Sequence, residues 1–141
     1  MVAGTVCDPF PTACDIRVVK HDANTGTVIW SVTFDAAGFD EVLGLAIGAD
    51  GHPVISGGSC ANAYSGCDFR IFKLNGMTGA VLWSVTFDGG GGDEATVVAI
   101  GPDGNPVITG FSCPADFGPA CDPQTVRART IKLNGATGTV L

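Results

Sequence analysis

The sequence predicts an all-β fold: an array of four-stranded antiparallel blades of the β-propeller type, repeated with a period of 53 residues. The segment Trp30–Asp35 returns unchanged as Trp83–Asp88, and Asp50–Gly57 returns with two substitutions as Asp103–Gly110. No apolar period of 3.6 residues persists over helical length. A fixed period of this size is typical of arrays of supersecondary units. Four short strands in each unit are typical of a propeller blade.

The second copy shows how one unit divides into strands. Ala95–Ile100 is short, β-branched and apolar, which predicts a buried strand. A Gly-Pro-Asp-Gly turn follows, and Pro106–Ser112 is the return strand of a hairpin. The third strand runs through Arg129 to Leu133. In the preceding unit the fourth strand is Val81–Phe87, in which apolar side chains alternate with polar ones.

The period organises residues 1–141 as one repeat array. It predicts a partial first repeat at 1–34, a full repeat at 35–87 and an incomplete last repeat at 88–141, about 2.6 units in all. Closing a propeller ring usually takes four to eight blades. We therefore expect a fragment of a longer gene, or a chain that does not close a propeller by itself. Further repeats of the same polypeptide or copies of the chain would complete it, as a ring or a filament.

The overall composition excludes several classes of protein. The net charge of −7 argues against a nucleic-acid surface, which needs clustered Lys and Arg. The hydrophobic fraction of 45% is that of a core-forming chain rather than a disordered one. No apolar run approaches the ~20 residues of a membrane span, so no membrane insertion is expected.

The six cysteines fall into one pair per unit, each bracketing the loop between the second and third strands of the unit. A hairpin brings such positions together, which predicts local disulfides. The sequence contains no Cys-x-x-Cys spacing and only two histidines, so a zinc or haem site lacks ligands. Disulfides in every unit indicate an oxidising compartment, and hence an extracellular or cell-surface location. The pairs are Cys7 with Cys14, Cys60 with Cys67 and Cys113 with Cys121.

Two kinds of residue are candidates for ligand binding. Each cysteine loop carries one aromatic residue that could contact a glycan or a partner protein, or could instead cover the disulfide. Carboxylates flank the Gly-rich loop of each unit, and their hard oxygen atoms could hold Ca²⁺; the alternative is an ordinary turn in which Asp caps its own backbone. The aromatic residues are Phe10, Tyr64 and Phe117, and the acidic residues are Asp35, Asp40, Glu41, Asp88, Asp93 and Glu94.

Basic and aromatic residues also recur. Arg and Lys are repeated three residues apart on the third strand, so they should point to opposite faces of the sheet. We expect the arginines to pair with the loop carboxylates and the repeated tryptophans to anchor packing between units. His21 and His52 align with Leu and Asn in other copies, which favours surface positions. The repeated residues are Arg17, Arg70, Arg129, Lys20, Lys73, Lys132, Trp30 and Trp83.

Two segments carry a resemblance to known families. Asp22–Trp30 and Asn75–Trp83 resemble the Asp/Asn-x-x-Thr-Gly-x-x-x-Trp segment of quinoprotein-like (PQQ-like) propellers. Together with Thr-Phe-Asp, the Gly-rich Asp-Glu loop, Ala-Ile-Gly-x-Asp-Gly and Pro-Val-Ile-x-Gly, the pattern is similar to the SBBP family of bacterial β-propeller repeats. The resemblance implies a propeller fold, and it implies no particular activity because propeller repeats host many.

The function that the sequence favours is a secreted structural or adhesive β-propeller repeat protein, part of a cell-surface or extracellular assembly. We expect no enzymatic activity, no catalytic residues and no cofactor other than Ca²⁺. The expected partners are further units of the same kind, a glycan or a surface protein. The alternatives are a fragment of a quinoprotein-like dehydrogenase, which would need a cofactor pocket on a closed propeller axis, and a glycan-binding propeller module.

Overall fold

The computed structural model of the chain describes residues 1–8, 13–36, 38–62, 65–115 and 124–141. All the regular secondary structure in these ranges is β-strand. The described residues contain no helix that is long and apolar enough to cross a membrane. The ten strands are β1 Val2–Cys7, β2 Cys14–His21, β3 Val28–Phe34, β4 Phe39–Ile47, β5 Pro53–Asn62, β6 Ser65–Leu74, β7 Val81–Phe87, β8 Asp93–Ile100, β9 Pro106–Ser112 and β10 Arg127–Lys132.

The strands form three antiparallel layers. The first layer is β1–β3, with β2 in its centre, and the second is β4–β7 in sequential order. A single parallel pair, Cys14 with Phe39, joins these two layers into one seven-stranded sheet. The third layer is the separate sheet β8–β10. Neither sheet closes on itself. The all-β prediction is therefore confirmed, and the architecture is an open, sandwich-like stack of sheets.

Two hydrophobic clusters fill the junctions between the layers. Ile16 and Val18 of the first layer pack with Phe72 and Leu74 of the second. On the opposite face of the second layer, Phe69 and Ile71 pack with Ile108, Ile131 and Leu133 of the third. Successive side chains of a strand point to opposite faces, so β6 buries odd-numbered residues on one side and even-numbered residues on the other. The second layer is thus covered on both faces.

The disulfides lie within the strand ladders. Cys60 and Cys67 are opposed residues of β5 and β6, with a Cα–Cα distance of 3.9 Å, and Cys7 and Cys14 join β1 to β2 at 4.0 Å. Two of the three predicted pairs are therefore confirmed. The sequence predicted a loop between the cysteines of each pair, but β5 and β6 stay paired beyond the disulfide, as far as Asn62 and Ser65.

Candidate functional site

The same hydrogen bonds from a lysine and a tryptophan recur at both junctions between layers, and the candidate functional residues lie around them. Lys73, on β6, donates from Nζ to the backbone carbonyl of Gly135 at 2.7 Å, and Nε1 of Trp83 donates to the same oxygen at 3.2 Å. Gly135 lies in the turn after β10, so these bonds join the second layer to the third. At the other junction, Lys20 and Trp30 donate to the carbonyl of Gly76 at 2.5 and 3.3 Å. We call each such Lys–Trp–carbonyl group a clasp.

A second acceptor fixes the turn that each clasp grips. The backbone N–H of Gly76 donates to Nδ1 of His52 at 3.0 Å, and that of Gly135 donates to Oδ1 of Asn105 at 2.8 Å. His52 and Asn105 occupy the same position of the repeat, and each accepts a hydrogen bond from the equivalent turn glycine. His52 is half-buried, and its imidazole, like the amide of Asn105, accepts this backbone hydrogen bond, a role that the sequence alignment did not predict.

Close packing requires glycine on the turn. A Cβ on Gly76 would lie 1.9 Å from the carbonyl oxygen of Gly51, and one on Gly79 would lie 2.9 Å from the ring of Trp30. Gly79 also has a φ of 77°, which L side chains rarely adopt. Each turn thus approaches both the neighbouring hairpin and the tryptophan of the preceding layer.

Two of the repeated lysines, Lys73 of a clasp and its equivalent Lys132, also form ion pairs within their own layers. Lys73 is 2.7 Å from Asp50, and Lys132 is 2.7 Å from Asp103. Burial opposes the ionisation of Asp50, but hydrogen bonds from Lys73 and from the backbone of His52 outweigh it and lower the pKa. The hydrogen bond from Lys132, with those from Asn105, lowers the pKa of Asp103 to about 2. These carboxylates line a cleft of about 530 Å³ between the turn that follows β4 and the turn that follows β8.

The predicted acidic residues divide between two kinds of group. Asp35 and Asp40 come together with Asp15, and Asp88 and Asp93 come together with Asp68. In each triad the three carboxylates offer oxygen atoms that all lie within 4.8 Å of one another. Asp15 and Asp68 were absent from the sequence prediction. Their recurrence at the same interval of 53, directly after Cys14 and Cys67, was the signal that could have found them.

Strand pairing assembles the second triad. Phe69 of β6 is opposite Phe87 of β7, so the neighbouring Asp68 and Asp88 lie side by side at the strand ends. Asp93 begins β8, and its Oδ2 accepts from the backbone N–H of Gly89 at 2.5 Å. Burial raises the pKa of Asp68, and the charges of Asp88 and Asp93 raise it further. At the first triad the pKa of Asp15 is raised in the same way, by burial and then by the charges of Asp35 and Asp40.

Glu41 and Glu94 lie outside both triads. They face each other across Gly58, and both are half-buried. Burial raises the pKa of each, and the charge of Glu41 adds to the rise at Glu94. The structure therefore separates them from the aspartates with which the sequence had grouped them.

The repeated arginines interact mainly with hydroxyl groups. Nε of Arg17 donates to Ser31 at 3.1 Å, Arg70 donates to Thr86 at 2.5 Å, and Nε of Arg129 donates to Ser112 at 3.1 Å. The arginines and lysines do lie on opposite faces of their strands. The lysines, rather than the arginines, form the ion pairs found among the described residues.

Several predicted residues lie outside the part of the chain that the structure describes. These are the three loop aromatics, Phe10, Tyr64 and Phe117, together with Cys121. Cys113 is disulfide-bonded.

The fold and the junctions define an all-β protein of stacked antiparallel layers with cross-strand disulfides. No family model matches the sequence, and no curated protein matches it. The chain is similar to the crystal structure of a protein of unknown function from Bacteroides caccae, with a TM-score of 0.55 and 16% sequence identity. The match covers 99% of this chain and 39% of that chain. At this identity the likeness concerns the fold alone.

Proposed function

We propose that this chain is part of a secreted β-propeller-type repeat protein with a structural or adhesive role in an extracellular or cell-surface assembly. Each layer corresponds to a blade, and the SBBP-like sequence pattern is the signature of that blade. The observation that carries the proposal is the repetition of one interface: the same clasp and the same pair of faces meet at both junctions.

The faces are used in a head-to-tail order. We call the face that carries Ile16 and Val18 in the first layer, and Phe69 and Ile71 in the second, the leading face. We call the opposite face, which carries Phe72 and Leu74 in the second layer, the trailing face. At each junction a leading face covers the trailing face of the next layer. Head-to-tail contacts of this kind extend until a rotation closes them into a ring, or they continue as a filament.

The two outer faces present the unused halves of this interface. On the trailing face of the first layer, Val2 is 59% and Val6 47% exposed, although the equivalent of Val2 in the second layer is the fully buried Ile55. On the leading face of the third layer, Lys132 contacts Asp103, whereas the equivalent Lys73 also grips the turn of the next layer. We propose that further units of the same design cover both faces.

The disulfides support the location. Disulfides persist in oxidising compartments and are rare in the cytosol. Two of them link β1 to β2 and β5 to β6 in equivalent places, which stabilises hairpins that would otherwise end in open strands. This chemistry supports a secreted or surface-attached location for the chain.

Association of the purified chain tests the proposal. Sedimentation velocity over a wide concentration range should show oligomers that grow with concentration, and electron microscopy should show whether they are rings or filaments. Val2→Asp places a charge on the outer trailing face and should weaken association. Met77→Asp is the matched control, because Met77 is 80% exposed on a turn rather than on an outer face. A wild-type chain that remains monomeric throughout would contradict completion by copies of itself.

A further inference from the structure

We propose that the second aspartate triad, Asp68, Asp88 and Asp93, binds a divalent cation, with Ca²⁺ as the best fit, and that the ion ties the second layer to the third. The proposal goes beyond the array function and does not depend on it. A chain that never associates could still bind the ion, and an array could form without it.

The buried member of the triad points to a ligand. Asp93 is completely buried, and its Oδ1 atom has no hydrogen-bond partner among the described residues. A buried carboxylate oxygen without a donor is costly, because it has lost its water and gained nothing in return. A bound cation would satisfy this atom. The other oxygen of the same carboxylate is held by the backbone of Gly89, which fixes the orientation of the group.

No described basic side chain neutralises the cluster. The ion pairs found in the described part of the chain join Lys73 to Asp50 and Lys132 to Asp103, and neither involves the triad. Arg127 and Arg129 line the cavity beside Gly89, but Nε of Arg129 donates to Ser112 and its guanidinium lies over the ring of Phe87. Among the described residues, the three carboxylates therefore meet without a compensating charge within ion-pair distance.

The geometry and chemistry fit calcium. Ca²⁺ binds six to eight oxygen ligands at about 2.3–2.6 Å, so ligand atoms on opposite sides of the ion lie up to about 5 Å apart. The three carboxylates offer oxygen atoms within 4.8 Å of one another, and waters would complete the shell. Magnesium holds its ligands at about 2.0–2.1 Å and is more demanding in geometry. Three monodentate ligands suit a weak site, with a dissociation constant of about 10⁻⁴–10⁻³ M, as in extracellular modules.

The position of the triad gives the ion a structural consequence. Asp68 lies on β6 and Asp88 directly follows β7, both belonging to the second layer, whereas Asp93 begins β8 of the third. A cation shared by the three would fasten the connection between the layers. The first triad repeats the arrangement, but among the described residues of the two triads only Asp93 has a buried carboxylate oxygen without a hydrogen-bond partner. The proposal is therefore limited to the second triad.

Calcium binding can be measured directly on the whole chain. After treatment with a chelator, the protein is titrated with CaCl₂, and separately with MgCl₂, by isothermal titration calorimetry, and its thermal unfolding is followed with and without each ion. We expect Ca²⁺ to bind and to raise the melting temperature. Asp88→Asn removes one ligand on an exposed side chain and should weaken Ca²⁺ binding by roughly tenfold or more, because affinity follows ligand charge.

Three further variants complete the test. Asp68→Asn should act like Asp88→Asn, and Asp93→Asn should act more strongly; if Asp93→Asn does not fold, the other two variants decide. Glu94→Gln is the matched control, since it removes a neighbouring carboxylate outside the triad and should leave binding unchanged. The proposal is overturned if the folded wild-type chain shows neither heat nor a melting shift with Ca²⁺ up to about 10 mM. It is equally overturned if Asp68→Asn and Asp88→Asn bind like wild type, or if only Mg²⁺ binds.

Discussion

Lys73 and Lys132 are the same residue of the repeat in two different surroundings. Lys73 is buried and bonds both to Asp50 and to the carbonyl of Gly135 in the next layer, whereas Lys132 is 45% exposed and is paired with Asp103. Exposed ion pairs contribute about 0–1 kcal/mol. Losing a buried charge-assisted hydrogen bond costs more, about 1.5–3 kcal/mol.

Lys73→Met should therefore destabilise the chain by about 1.5–3 kcal/mol, and Lys132→Met by less than about 1 kcal/mol. Methionine keeps most of the aliphatic stem, so the comparison isolates the ammonium group. Urea unfolding followed by tryptophan fluorescence measures both variants. Equal losses in the two variants would show that the clasp contributes no more than the surface ion pair.

The Glu41–Glu94 pair makes stability depend on pH. The pKa of Glu94 is raised from its ordinary value of 4.5 by burial, and then by the charge of Glu41. A group whose pKa is higher in the folded state favours folding while protonated, and that contribution is lost as the pH rises through the folded pKa. Glu94→Gln should thus stabilise the chain above that range and make no difference below about pH 4.5.

The size of this effect is limited because Glu94 is half-exposed and solvent screens its charge. We expect a gain of at most about 1 kcal/mol at pH 7. Urea midpoints measured for the variant and the wild type from pH 4 to 8 provide the check. A difference that is constant with pH would mean that the substitution acts through packing and not through charge.

At the scale of elements, the disulfide between β5 and β6 stabilises the hairpin at the centre of the stack. The two cysteines are seven residues apart and opposed on the ladder. Closing so short a loop is worth about 2–3 kcal/mol. Replacing both Cys60 and Cys67 with Ala should lower the free energy of unfolding by about this amount, as measured by urea denaturation under non-reducing conditions. The Cys7–Cys14 double variant should lose less, because β1 lies at the edge of its sheet and its residues are more exposed.

The strands themselves were largely predictable from sequence, and their lateral contacts were not. Val81–Phe87 and Pro106–Ser112 coincide with β7 and β9 because alternating apolar residues are bounded there by turn sequences. The extension of β5 to Asn62 was missed, since the sequence Ala-Asn-Ala-Tyr-Ser-Gly between the cysteines gives no sign that the strands stay paired beyond the disulfide. The sequence predicted two of the three aspartates of each triad and missed Asp15 and Asp68. Asp68 joins the loop carboxylates through the pairing of β6 with β7, and pairing partners cannot be read from a single strand.

At the scale of the whole molecule, the head-to-tail stack makes stability a property of the number of layers. In repeat arrays each unit contacts mainly its neighbours, so stability is approximately the sum of unit and interface terms. The leading face of the third layer carries Thr130 where the buried leading faces carry Val18 and Ile71, and Thr130 is exposed. A further layer would cover this face and give Lys132 a turn carbonyl to grip.

Appending a second copy of residues 83–141 after Leu141 extends the array by one repeat unit and keeps the register, because Trp83 follows Leu82, the equivalent of Leu141. The extended chain should unfold at a higher urea midpoint and with a steeper dependence on urea, since more surface is exposed on unfolding. In the extended chain, Lys132→Met should lower the free energy of unfolding about as much as Lys73→Met does, because Lys132 would then belong to an internal clasp. If the added segment instead melts in a separate transition, leaving the original midpoint and the small effect of Lys132→Met unchanged, the layers do not stack by a repeated interface.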